Sequence, residues 1–338
     1  MCENKLPNIF EFATSELSQD AFFAWLIKCA KPHFMKIDKN LCELGQSFIK
    51  LLIGDDDLII EKVEVGCQWK KIDVWVEVND DIFITIEDKT ETTEHDNQLK
   101  IYKEIVFDEY NGKRDKLYFV YLKTGNEPKS ILDKISALGY RNILRSDLLV
   151  LLNSYSGSHP FVLDYKDHIQ IIEEETQRFK TLPTSKWGWY AWQGFYQEIN
   201  KYIDLASWAY VSNPSGGFLG AFWHFIGIDD NIEMYLQFEE QKLCFKIWCG
   251  YDNKSEIRNR FFDIIMTTKQ NIFTDEEIHK PNRFRPGEYM TVAVVEPDLL
   301  FGTEIVDIQA VVSKLHQYEH LIDLCCEKYE KEYCDSLK

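Results

Sequence analysis

The chain has 338 residues, 45% of them apolar, and carries a formal net charge of −18. That length exceeds a typical single core, so about two domains are expected, and the acidity argues against strong nonspecific affinity for nucleic acid, which rests on Lys and Arg. No run approaches the ~18 consecutive apolar residues of a membrane helix, and the start lacks a basic-then-apolar leader, so a soluble, cytoplasmic chain with no membrane partner is expected.

In chain order, Ser15 or Ser18 caps a predicted helix reaching Ala30, with Phe22, Phe23, Trp25, Leu26 and Cys29 as its apolar face. A second helix is predicted over 41–53. Strands follow at 58–65, 70–78 and 82–89, then a helix at 94–107 and a strand at 116–123. Ser146 caps a helix over 147–152, and Ser158 before Pro160 opens another that ends near Lys180. The composition breaks near Leu182-Pro183-Thr184-Ser185, between the acidic run at 173–175 and a segment holding Trp187, Trp189 and Trp192. The expected domains are therefore 1–182 and 183–338. In the second, a helix at 189–205, a hairpin at 234–248 turning at 239–241, a strand at 289–295, and helices at 255–268 and 306–329 read as α+β. Nine scattered cysteines, an odd count with no Cys-x-x-Cys pair, read as reduced cytosolic thiols.

The segment 70–89, KKIDVWVEVNDDIFITIEDK, carries the chemistry. Ile72, Val74, Val76 and Val78 alternate with polar residues, as do Ile82, Ile84 and Ile86, so both strands bury the same parity. Matching parity across a hairpin requires a loop of odd length, such as Asn79-Asp80-Asp81, and Asn and Asp tolerate the left-handed conformation that such a turn needs. In that register Val78 faces Ile82, Trp75 faces Thr85, Asp73 faces Glu87, and Lys71 faces Lys89. Opposed β-carbons are only about 4.5–5.5 Å apart, so two carboxylates are forced together, an unfavourable pairing without a cation. Magnesium, with manganese as a substitute, takes one or two carboxylates together with waters and substrate phosphate. Lys89, on the same face, can hold a nucleophilic water or stabilise charge on phosphorus. A solvated hairpin face is the ordinary reading of such a strand pair, but Trp75 and Phe83 on this face argue against it. Gln98 and Tyr102 add a polar pair at i,i+4 on the helix that follows.

This pattern resembles the PD-(D/E)XK nuclease superfamily, with Asp73 on one strand and Glu87-Asp88-Lys89 on the next. Gln98, Leu99 and Tyr102 are similar to the Gln-Leu-x-x-Tyr helix of one variant, and the stretch 14–27 is similar to its first helix, where Glu16 is the candidate, with Asp20 one turn on. The resemblance spans about 10–150. Two departures are Ile72 in place of the name-giving Pro, which donates no ligand, and Asp88, whose parity sends its side chain to the apolar face.

The resemblance implies an α/β, restriction-endonuclease-like mixed sheet flanked by helices, followed here by the α+β domain. It implies phosphodiester hydrolysis, with Asp73, Glu87 and the main-chain carbonyl of Asp88 as metal ligands and Lys89 orienting the water. Gln98 would position Lys89 or a phosphate, and Glu16 would hold a second metal or fix Lys89. The implied partner is nucleic acid, DNA ahead of RNA, in a setting such as bacterial defence. The C-terminal domain is expected to select substrate or partner, whether a protein or a second copy in a homodimer. The alternative is a catalytically silent nuclease-fold scaffold, against which the intact Asp73, Glu87 and Lys89 set counts.

Other features are weaker. Lys280, Arg283 and Arg285 around Phe284 form a Pro-punctuated loop that can contact nucleic acid, as can Tyr102, although an ordinary exposed loop is the commoner outcome. His316 and His320 lack the Glu of a metalloprotease motif and read as surface histidines. Cys244 and Cys249 read as packed thiols, and the aromatic cluster Trp187, Trp189, Tyr190, Trp192 and Phe195 as core or interdomain packing rather than a stacking surface.

Overall fold

The computed structural model describes residues 7–93, 97–110, 116–213, 216–273 and 278–334. The chain divides into two compact units, one of Met1–Glu127 with Ile131–Glu174 and one of Pro128–Ser130 with Glu175–Lys338. No described helix is long and apolar enough to cross a membrane.

The first unit opens with α1 (Glu16–Cys29) and α2 (Lys39–Ile53), followed by β1 (Val63–Trp69), β2 (Ile72–Val78) and β3 (Ile82–Lys89). Then come α3 (Gln98–Tyr110), β4 (Lys116–Lys123), α4 (Lys129–Ala137), β5 (Arg141–Leu144), α5 (Arg145–Asn153) and α6 (Pro160–Gln177). The strands form one mixed sheet in the order β1-β2-β3-β4-β5, antiparallel through β3 and parallel from β3 to β5. This is the expected helix-flanked mixed sheet.

The hairpin register follows the parity argument. Val78 pairs with Ile82 and Trp75 with Thr85 across a three-residue loop in which Asn79 and Asp80 have φ of 54° and 63°. Val74, Val76, Val78, Ile82, Ile84 and Ile86 pack beneath α1, α2, α5 and α6 with Phe23, Leu26, Phe48, Leu148 and Tyr165. Ile72, expected among them, instead joins the opposite face, where Phe83, Phe119 and Tyr121 lie under Leu99, Tyr102 and Val106 of α3. Every residue of β3 is consequently buried, which disposes of the solvated-face reading.

Several boundaries differ from expectation for identifiable reasons. The strand expected at 58–65 begins only at Val63, because the Asn79 side chain accepts from the amides of Glu61 and Lys62 and donates to the Ile59 carbonyl at 2.7 Å. Lys71, expected across from Lys89, instead forms with Lys70 a two-residue turn from β1 to β2, their φ of 73° and 50° matching a left-handed hairpin turn. Ser146 lies inside α5 rather than capping it, and the amide of Leu144 is capped by Asp147. The expected start of α3 at 94 falls outside the described residues.

The second unit holds α7 (Trp189–Ile199), β6 (Leu205–Val211), β7 (Phe218–Asp229), β8 (Ile232–Glu239), β9 (Lys242–Cys249) and α8 (Lys254–Thr268). It continues with β10 (Ile278–His279), β11 (Tyr289–Val295), α9 (Pro297–Phe301) and α10 (Ile308–Tyr329). Its six strands form an antiparallel sheet in the order β10-β11-β9-β8-β7-β6, packed against α7, α8 and α10. The helix expected to reach 205 stops at Ile199, where the Asn200 carboxamide accepts from the Leu205 amide at 2.9 Å and turns the chain into β6. Trp187, Trp192 and Phe195 lie in the core, whereas Trp189 is exposed. Cys244 and Cys249 are buried free thiols, and His316 and His320 are exposed.

Candidate active site

The site forms where β2 and β3 diverge. The ladder between them ends at Val74–Ile86, and Asp73 then reaches across with its side chain, Oδ2 accepting from the Asp88 amide at 3.0 Å. Beside it, the carboxyl groups of Asp73 and Glu87 come within hydrogen-bonding reach of each other. Glu87 is 2% exposed, with Oε1 bonded to the Lys89 ammonium at 2.6 Å and Oε2 buried without a partner among the described residues. Burial and the neighbouring Asp73 charge push the Glu87 carboxyl up to about 8, despite Lys89. Burial also raises Asp73, offset in part by the Asp88 amide and by Lys89. For Lys89, burial disfavours the charged form, but Glu87, Glu16 and Asp73 outweigh it, so the ammonium is held above its ordinary value.

Helix α1 supplies the second side of the site. Glu16 Oε2 lies 4.0 Å from the Lys89 ammonium, while its Oε1 accepts from the Thr90 amide at 3.2 Å and the Thr92 hydroxyl at 2.6 Å. One turn on, Gln19 donates to Asp88 at 2.6 Å and accepts from Thr124 and Tyr165. Asp88 is fully buried on this face, as its parity requires. Asp20 is buried near it, and burial together with the Asp73 charge raises Asp20 to about 7. Carboxyl groups packed this closely require a proton or a cation between them at neutral pH.

On the α3 side, Gln98 donates to the Tyr102 hydroxyl at 2.7 Å, realising the i,i+4 pair, and Gln98 Oε1 is a buried acceptor without a partner among the described residues. Tyr102, 7% exposed, is raised by burial and feels the charges of Glu87, Asp73 and Lys89, which sets it in the same neighbourhood.

Strand β4 adds residues that sequence reasoning did not single out. In the parallel register Tyr121 lies beside Glu87 and Lys123 beside Lys89. Lys123 bonds buried Glu127 at 3.1 Å and donates to the Thr92 carbonyl, while the Tyr121 hydroxyl donates to Glu127 at 3.0 Å. The Gly125 amide donates to the Thr90 carbonyl at 3.1 Å. The stretch after Lys89 is thus clasped from α1 by Glu16 and from the end of β4 by Lys123 and Gly125. The i,i+4 spacing of Lys123 and Glu127 was visible in sequence, but their burial was not. Gln19 carried a fainter signal, as a polar residue one turn from Glu16 and beside Asp20.

Asp73, Glu87, Asp88, Lys89, Glu16, Gln98 and Tyr102 are therefore gathered in the first unit, whereas Lys280, Arg283 and Arg285 belong to the second. Among the described residues no three His, Cys, Asp or Glu side chains converge to hold a metal ion. Two carboxylates and a main-chain carbonyl are a smaller set, of the kind a hard divalent ion completes with water and phosphate. The unpartnered Glu87 Oε2 beside Asp73 fits such an ion.

The model of one protein family, described as the PD-(D/E)XK nuclease superfamily, matches residues 7–188 of the chain. Comparison with curated proteins and with solved structures found no match.

Proposed function

The chain belongs to the PD-(D/E)XK nuclease superfamily, and on that premise we propose that it is a cytoplasmic, divalent-metal-dependent nuclease cleaving phosphodiester bonds, DNA ahead of RNA. The observation that carries this reading is the Asp73 and Glu87 pair, with a buried oxygen lacking any donor and the Lys89 ammonium 2.6 Å from its neighbour. Asp73, Glu87 and the Asp88 carbonyl would hold magnesium, or manganese in its place. The bound ion supplies Lewis acidity and offsets the carboxylate charge. Lys89 orients the attacking water and stabilises the charge that develops on phosphorus. Glu16, fixed by Thr90 and Thr92, keeps the ammonium from settling on Glu87 alone. Gln98 offers its carboxamide to Lys89 or to a substrate phosphate. The second unit, taken as the domain 183–338, selects substrate or partner, and bacterial defence is the setting that suits such a chain.

A second reading, a silent scaffold with a nuclease fold, draws on one observation: the Lys89 ammonium already occupies Glu87 Oε1 at 2.6 Å. Thermal melting separates the two readings. A ligand that binds only the native state stabilises it by RT ln(1 + [L]/Kd). Millimolar Mn²⁺ is expected to raise the melting temperature of the wild type and to leave that of Asp73→Asn unchanged. Equal shifts in both would favour the scaffold.

A further inference from the structure

The second unit contains a cationic surface that the catalytic reading does not use. Residues 278–287 include Lys280, Arg283 and Arg285 and no acidic residue, in a chain of net charge −18. All three are exposed, and none has a carboxylate partner among the described residues. Arg258 of α8 is 6% exposed, with one guanidinium nitrogen on the Phe284 carbonyl at 2.8 Å, another on Asn259, and Nε without a partner among the described residues. Its guanidinium lies 3.9 Å from the Phe284 ring, and the Lys280 ammonium lies 4.3 Å from the same ring.

A covered guanidinium with no counter-charge among the described residues is costly, and an arginine remains charged at neutral pH. The Phe284 ring meets part of that cost through its π face, but a ring carries no net charge. On the same helix as Arg258, Arg260 by contrast has a carboxylate partner in Glu256. Arg258 and Lys280 are thus gathered on Phe284, with exposed Arg283 and Arg285 its neighbours in the chain. The exposed cations are spread along a Pro-punctuated loop, which suits a string of phosphates better than a single small anion.

We propose that Arg258, Lys280, Arg283 and Arg285 form a docking surface for the phosphate backbone of nucleic acid. The choice of nucleic acid as the polyanion rests on the nuclease reading above. With Phe284 engaged by Arg258, Lys280 and Phe262, the contact is to phosphates and is insensitive to base sequence.

Fluorescence anisotropy in EDTA, where no turnover occurs, tests this with labelled duplex DNA, single-stranded DNA and RNA. The full-length variant carrying Lys280→Gln, Arg283→Gln and Arg285→Gln is compared with wild type over a salt series. These side chains are exposed, so the melting temperature should not change. Each lost phosphate contact lowers the salt slope by about one, so a fall of about three is expected, with weaker binding to all sequences alike. Identical affinity and slope in the variant, or no binding by wild type to any of the three probes, overturns the proposal. So does competition by poly-glutamate equal to that by DNA, which would point to an acidic protein instead. Cleavage assayed separately in Mg²⁺ keeps the two readings apart. A wild type that binds through this surface yet cleaves nothing would leave the docking surface standing and remove the nuclease, whereas cleavage with unchanged variant binding would do the reverse.

Discussion

Glu87 has one oxygen committed to Lys89 and one without a donor among the described residues, and its chemistry follows from that imbalance. Lys89→Ala is expected to reduce cleavage by about a hundredfold or more, the scale of losing a transition-state charge stabiliser. It should also lower the melting temperature, because buried Glu87 loses the 2.6 Å hydrogen bond from Lys89. Gel-based cleavage and a melt of the same preparation check both, and activity equal to wild type would place the chemistry elsewhere. The pH dependence has a definite sign. Folding raises the Glu87 carboxyl from 4.5 to about 8, so between those values the native state keeps a proton that the unfolded chain releases. Asp20, raised from 3.8 to about 7, acts in the same direction. The contribution of these groups to metal-free stability is therefore fully favourable below the unfolded values, falls as pH rises, and levels off above the folded ones. Melts in EDTA from about pH 5 to pH 8 should show a smaller decline for Glu87→Gln than for wild type. Identical slopes would mean that Glu87 titrates normally.

At the scale of elements, α1 is held against α2 at Gly45, where an added β-carbon would sit 2.5 Å from the Leu26 carbonyl and 2.9 Å from the Ala30 amide. Neither atom can rotate away, so Gly45→Ala must push α1 off α2, at a cost of about 1–3 kcal/mol. Because α1 also carries Glu16, Gln19 and Asp20, cleavage should fall along with the melting temperature. Gly188→Ala, where nothing lies within 4 Å, is the control expected to change neither. A Gly45→Ala protein that melts and cleaves like wild type would show that α1 does not fix the site. The β2–β3 hairpin is the element that alternation alone specified, since a slip of one residue would turn its Val and Ile side chains away from the core beneath α1, α2, α5 and α6. The start of β1 was illegible for a different reason: a single side chain, Asn79, takes up the backbone groups that would have extended it.

For the whole molecule, the net charge of −18 opposes any nucleic-acid complex, and a bound divalent ion is a means of offsetting it locally. The Lys89→Ala chain, in which turnover is expected to be slowed, should therefore bind DNA more tightly in Mg²⁺ than in EDTA at matched ionic strength. Equal affinities in an anisotropy titration would separate metal from substrate binding. The sequence by itself determined the hairpin register from Val74 and Ile86 to the turn, the nearness of Asp73, Glu87 and Lys89 at its open end, and the Gln98–Tyr102 pair. Each follows from a periodicity of two along a strand or of about four along a helix, which acts between near neighbours in the chain. The tertiary structure decided that Glu16 meets Thr90, that Gln19 meets Asp88, and that Lys123 and Glu127 form a buried pair beside the site. It also decided that Arg258 is covered by Phe284. Those contacts join residues brought together only by packing of helix on sheet or loop on helix. A polar side chain bound for such a place has the same letter in the sequence as one bound for water.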